Sequence, residues 1–210
     1  MEKNGELVPH SFHTSNKNRM QLTAELKETT EAIHQATEKK MILALKRIST
    51  DQDYVQMLTW LYGFYAPLED RIRRHLTPDN FPEMVKRSRA ESILWDIKEF
   101  GTEAAQPDLC RHLPVIDTYE RALGALYVLE GSTLGGRIIA AMISRQLDSM
   151  KGLSFFNSYG AETGHMWQSF KDFLDRPRSP QQRREIIAGA EDTFITFKNW
   201  IDEHELQPQL

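Results

Sequence analysis

The sequence predicts an all-α, single-domain fold, and three observations lead there. Apolar residues recur at helical spacings of three, four and seven through almost the whole chain from Leu22 onward. No alternating strand pattern or hairpin turn interrupts them. Prolines, glycines and capping residues fall into short clusters that cut the chain into segments of helical length. With 210 residues, 40% of them AVILMFWYC, the chain can bury one sizeable core, and its length argues for one domain. The expected division is a polar, unpacked tail at 1–20 and a single helical domain over 21–205.

The first helix starts at Leu22 and carries Leu26, Thr30, Ile33, Thr37 and Met41 on one face, with His34 on or beside that buried face. Ser49-Thr50-Asp51 supplies a turn and an N-cap for a second helix through Tyr54, Leu58, Leu61, Tyr62 and Tyr65. Pro67 is expected to kink it before the pattern resumes over 68–76. After a turn at 77–80, a third helix is expected through Met84, Ile93, Leu94 and Ile97, ending at Phe100-Gly101. Residues 102–113 read as a loop. The helix expected over 119–147 has Leu123, Leu126, Tyr127, Leu134, Ile138 and Met142 as its apolar pattern. Residues 153–160 look irregular, a helix follows from about 161 to 174, and Ser179 caps a last one through Ile186, Ile187, Phe194, Phe197 and Ile201.

The helix over 119–147 contains four glycines, Gly124, Gly131, Gly135 and Gly136. Each interior glycine costs a helix about 1 kcal/mol relative to alanine, so a use for them is expected. Gly124, Val128, Gly131 and Gly135 fall on one stripe, where another backbone or a flat ligand can lie against the helix. Close helix packing explains such a stripe; so does a bent helix lying over a planar cofactor. The stripe alone leaves both open.

Composition narrows the partners. A net charge of −4 and a pI near 6.0 supply no global field for nucleic acid. The lone Cys110 excludes an internal disulfide or a cysteine-built zinc site, and fits a reducing cytoplasm. No apolar run is expected to span a membrane, and residues 1–20 lack the apolar stretch of a secretory signal.

His34 stands out among the seven histidines. A lone histidine in such a place is either a satisfied core residue or a ligand. Glu38, one turn on, is spaced to accept a hydrogen bond from its second ring nitrogen, as metal-bound imidazoles commonly require. Lys27, seven residues back, is placed to meet a ligand carboxylate. A rival pattern pairs Glu31-x-x-His34 with Glu162-x-x-His165, the spacing of di-iron carboxylate bundles, with Glu69 and Glu130 as further carboxylates. Gly160 and Gly164 make its second half a poor platform. His10, His13, His75, His112 and His204 are expected to be solvated, and Trp60, Trp95, Trp167 and Trp200 to be packing residues.

The first helix, with Leu26-Lys27-Glu28, Thr30, His34 and Glu38, resembles the proximal helix of haem oxygenases. The run YVLEGSTLGG at 127–136 is similar to their kinked distal helix in its bacterial form; YGFYAPLED at 62–70 and YGAETGHMWQSF at 159–170 also resemble bacterial members. The resemblance extends in order over residues 22–203. It implies a haem pocket between the first helix and the glycine helix, with His34 as iron ligand and Glu38 orienting it. It also implies Gly131 and Gly135 against the distal haem face, Gly136 aiding the bend, and Lys27 pairing with a propionate, with Lys171 the nearest match for a second propionate contact. Where animal members have an aspartate after the first distal glycine, this chain has Ser132, which can hold water but carries no charge.

The implied activity is oxidative opening of haem, both substrate and cofactor, to biliverdin, carbon monoxide and ferrous iron. Electrons would come from a ferredoxin or flavin reductase, and a bilin-binding photoreceptor could accept the product. A haem-binding or sensing protein on the same fold, or a non-haem di-iron enzyme, are the alternatives.

Overall fold

The computed structural model describes residues 20–101 and 107–205, so the tail expected at 1–20 lies outside it except for Met20. The described residues form the helices α1 (Leu22–Lys46), α2 (Asp51–Arg73), α3 (Ala90–Lys98), α4 (Tyr119–Leu147), α5 (Ser154–Asn157), α6 (Thr163–Leu174) and α7 (Pro180–Glu205). They include no strand. One core cluster runs through the bundle, from Leu22 and Leu26 on α1 to Ile186 and Trp200 on α7.

Local chemistry sets the helix ends. Thr50 accepts from the Asp53 amide at 3.1 Å while Asp53 accepts from the Thr50 amide at 2.9 Å, a reciprocal cap that starts α2. Ser179 does the same for α7: its hydroxyl accepts from the Gln182 amide at 3.2 Å, and its own amide donates to the Gln182 side chain at 2.9 Å. Pro67 does not end α2. It cannot donate to the Gly63 carbonyl, and the Cys110 amide does so instead at 2.9 Å.

The expected third helix is two pieces, a 3₁₀ turn at Pro82–Lys86 and α3. Between them the buried Glu69 carboxylate accepts from the Arg89 and Ala90 amides at 2.7 and 3.0 Å, so these donors serve Glu69 at the entry to α3. The irregular stretch at 153–160 contains the short α5, and α6 begins after a 3₁₀ turn at Gly160–Glu162. His75 and His204 are not simply solvated. Their ring nitrogens meet the Ile116 and Trp200 carbonyls at 3.2 and 2.9 Å.

The glycines do not interrupt α4, which stays helical over its 29 residues. Gly124 answers to packing. A Cβ there would collide with the Ile186 carbonyl and lie 2.7 Å from the Ala190 nitrogen of α7, while one on Gly189 would lie 2.8 Å from Cα of Arg121. Two backbones thus meet where side chains are missing, and the packing explanation holds for this end of the stripe. By length and composition α4 could also cross a membrane, against the sequence expectation. In this fold it is the helix on which α2, α5, α6 and α7 pack.

Candidate functional site

Helices α1 and α4 run parallel with a gap between them, and both pack on α7. The gap is tied at each end. At one end the Glu31 carboxylate of α1 lies near Tyr127 of α4: burial, then this charge, raises the Tyr127 hydroxyl above its ordinary range. At the other end Gln146 of α4 donates to the carbonyls of Leu45 and Ile48 at 3.3 Å each. One turn inward from the first tie stand His34 on α1 and Gly131 on α4, so the two share the gap.

The floor of the gap is bare. A Cβ on Gly135 would have nothing within 4 Å, and one on Gly131 would meet only Trp167, at 3.8 Å. No packing requirement therefore accounts for either glycine. Leu134 and Ile138, part of the helix's apolar pattern, are 50% and 77% exposed beside them. Ile42 and Leu43 are exposed on α1 as well. Leu134, Ile138 and Ile42 thus leave apolar side chains open beside the bare glycines and on the His34 side of α1.

His34 lies off the buried face where the pattern put it. It is exposed, its ring centroid 5.4 Å from that of Phe194 on α7, and it makes no hydrogen bond among the described residues. The expected bond to Glu38 is not formed, although Glu38 is exposed one turn on. The histidine is free to bind a metal, and its helix is held fixed. Arg183 of α7 pairs with Glu25, Lys40 pairs with Asp202 at 2.8 Å, and Thr23 donates through amide and hydroxyl to Asp175 at 2.9 and 2.7 Å. Lys27 is exposed two turns before His34, while Lys171 is half-buried on α6.

Gly136 faces away from this gap. A Cβ on it would collide with the Phe156 carbonyl, so its role is close approach to α5. Ser132 and Thr133 donate to the carbonyls of Leu129 and Glu130 at 2.7 Å each, bonds of the kind that bend helices locally. The Ser132 oxygen is also 3.2 Å from the Tyr65 hydroxyl of α2. Because the Ser132 proton is used on Leu129, Tyr65 is the donor of that pair. Burial pushes the Tyr65 hydroxyl up, so it keeps its proton.

Sequence patterning gives Tyr65 only as a helical-pattern residue and Trp167 only as a packing residue; the fold brings both against α4, at Ser132 and Gly131. Trp167 sits over Gly131 with its ring 5.5 Å from that of Tyr127.

The di-iron pattern does not assemble. Glu69 and Glu130 are buried and paired with Arg73 and Arg87, whereas Glu162 and His165 are exposed. Among the described residues no three metal-binding side chains converge.

A family model described as Heme oxygenase matches residues 20–203. A curated protein from Xanthomonas campestris pv. campestris (strain 8004), described as Heme oxygenase, is 29% identical over 161 residues, 75% of this chain and 94% of that protein. Heme oxygenase from Leptospira interrogans has a similar structure, with a TM-score of 0.71 and 22% identity over 88% of this chain and 100% of that one. So has heme oxygenase-1 from the cyanobacterium Synechocystis sp. PCC6803, solved in complex with heme, with a TM-score of 0.68 and 17% identity over 89% and 93%.

Proposed function

Because this chain belongs to the haem oxygenase family, we propose that the gap between α1 and α4 is where it binds haem and degrades it oxidatively to biliverdin, carbon monoxide and ferrous iron. The observation that carries this reading is the pairing of an uncommitted histidine with two glycines beside which, among the described residues, only Trp167 comes within 4 Å of a Cβ position. Haem would supply the oxygen chemistry, with electrons from a ferredoxin or a flavin reductase; the chain supplies position, exclusion of water and protons.

In this reading His34 would hold the iron, and Glu38, one turn on, would be the partner for the ring's other nitrogen, which makes imidazole a stronger donor. Gly131 and Gly135 would let the group lie against bare backbone of α4. Leu134, Ile138 and Ile42 would wall off water. Lys27 stands at the open end for a propionate, a charge-assisted contact. Ser132 lies on the same helix as the glycines and replaces a carboxylate with a hydroxyl that Tyr65 orients. If Ser132 turned its proton from Leu129 into the gap, the Tyr65 hydroxyl would keep its own proton and go on donating to the Ser132 oxygen. That makes a hydroxyl path in which Tyr65 fixes the direction of the Ser132 donor.

The test is haem titration followed by reductant under oxygen. A Soret band that responds to added haem, and then biliverdin, is the expected sequence. Haem that binds yet stays intact with a competent reductase would leave a haem-binding or sensing protein. Tyr65→Phe probes the hydroxyl path. Losing one hydrogen bond costs about 1 kcal/mol of stability. Haem affinity should hold while single-turnover bilin formation slows roughly tenfold, less than the loss of a general acid costs, because Tyr65 orients Ser132 and does not itself supply the proton. An unchanged rate would remove Tyr65 from the path.

A further inference from the structure

Behind the glycine face, on the side of α4 away from the gap, lies a cluster of charges that the proposed chemistry does not use. Glu130, the residue before Gly131, is 1% exposed, and Arg87, which pairs with it, is 0% exposed. Arg87 also pairs with Glu83, donates to the Met166 carbonyl at 3.1 Å, and has its guanidinium 5.5 and 5.2 Å from the ring centroids of Phe81 and Phe170. Tyr159 donates to the second Glu130 oxygen at 2.7 Å. Six residues on, Gly136 lets the Phe156 backbone seat directly on α4. Arg89 holds that same segment, donating to the Phe155 carbonyl and the Ser158 hydroxyl. Ser158 has φ +51°, a left-handed conformation unusual for serine, and the Arg89 contact keeps it there.

A buried ion pair is a poor way to gain stability, since apolar residues of the same volume serve as well or better. What it does well is fix relative position, because each atom has a defined partner at a defined place. Here the partners come from the 3₁₀ turn at Pro82–Lys86, the segment before α3, the segment after α5, and α6, and they converge on the residue that adjoins Gly131.

We propose that Glu130 is a positioning residue: through Arg87 and Tyr159 it sets the height of the Gly131–Gly135 backbone above the haem face and so the angle available to bound gas. This rests on the reading of the gap as a haem site. Burial raises the Glu130 carboxyl, with Arg87 and Tyr159 opposing that rise, and Glu130→Gln keeps the shape while removing the charge.

The experiment has an arm without haem. In the apo protein, amide hydrogen exchange over 128–136 should accelerate about tenfold in Glu130→Gln, reporting a loosened segment. With haem bound, the pH at which the ferric absorption spectrum changes form should move and the biliverdin isomer distribution should broaden, with haem affinity nearly unchanged. Asp192→Asn is the comparison. It removes one of the ion pairs that tie Arg121, at the start of α4, to α7, and so perturbs the same helix elsewhere. It should lower the melting temperature without moving either haem readout. Tyr159→Phe, which keeps the ion pair, should reproduce the changes of Glu130→Gln in smaller measure, and covers the case in which Glu130→Gln fails to fold. Unchanged exchange over 128–136 in both variants would overturn the brace. Faster exchange with the same spectrum and isomers would overturn the positioning role. Wild-type protein that binds no haem would overturn the site reading instead, and the exchange arm would still be readable.

Discussion

His34→Ala should leave the fold intact and abolish haem degradation. The side chain is exposed and its ring contact is with Phe194 alone, so stability should change by no more than about 0.5 kcal/mol, as for surface substitutions. Haem should still enter the gap, because its apolar walls and bare glycines remain. What is lost is the nitrogen that binds the iron. Added imidazole, small enough to occupy the vacated position, should restore part of the turnover. Glu38→Gln should do less, on the order of tenfold, since it weakens only a contact to the ring. The direct observable is the iron–histidine stretching band in resonance Raman spectra of ferrous haem. If that band persists in His34→Ala, another side chain is the ligand and the assignment of α1 to the proximal side is wrong.

Helical periodicity located most of the elements because each helix needs its own apolar stripe and cap, and both are local signals. It could not show that Leu134 and Ile138 lack a protein partner, for a physical reason. A ligand-covered face and a protein-covered face carry the same apolar pattern, and only the fold shows which one lacks a protein partner. The break at 87–89 was invisible for the opposite reason. Arg87 and Arg89 belong to a residue type that is rarely buried, and what buries them here is a set of partners from distant segments. Charges whose partners come from far along the chain leave no spacing to read. Tyr65 and Trp167 were hidden in the same way, since their partners on α4 stand far from them in sequence. His34 and the glycines could be singled out as candidates because a helix fixes which side each residue faces. Even so, the sequence merged into one stripe two groups of glycines that serve different contacts.

Separating those groups gives the second large expected effect, which pairs Gly124→Ala with Gly135→Ala on the same helix. A methyl on Gly124 must enter the backbone of α7 at Ile186 and Ala190, where neither a rotamer change nor a flexible side chain can make room. Overpacking of this kind costs about 1–3 kcal/mol, and an immovable backbone places this site at the upper end. For a chain of this size, that lowers the melting temperature by roughly 5–10 °C. A methyl on Gly135 meets nothing within 4 Å. There, alanine should stabilise the apo helix by up to about 1 kcal/mol, because it restricts the unfolded chain and the backbone is already helical. The chemistry should divide the other way. Gly124→Ala, once folded, should degrade haem at the wild-type rate per molecule. Gly135→Ala puts a methyl into the space left for the distal haem face, and should lose most of its turnover, or shift its product to another biliverdin isomer or to peroxide release. Haem affinity should fall only modestly in that variant, since His34 is untouched. Apo melting curves and single-turnover products of both variants decide the matter, and a destabilised Gly135→Ala with normal products would assign that glycine to packing as well.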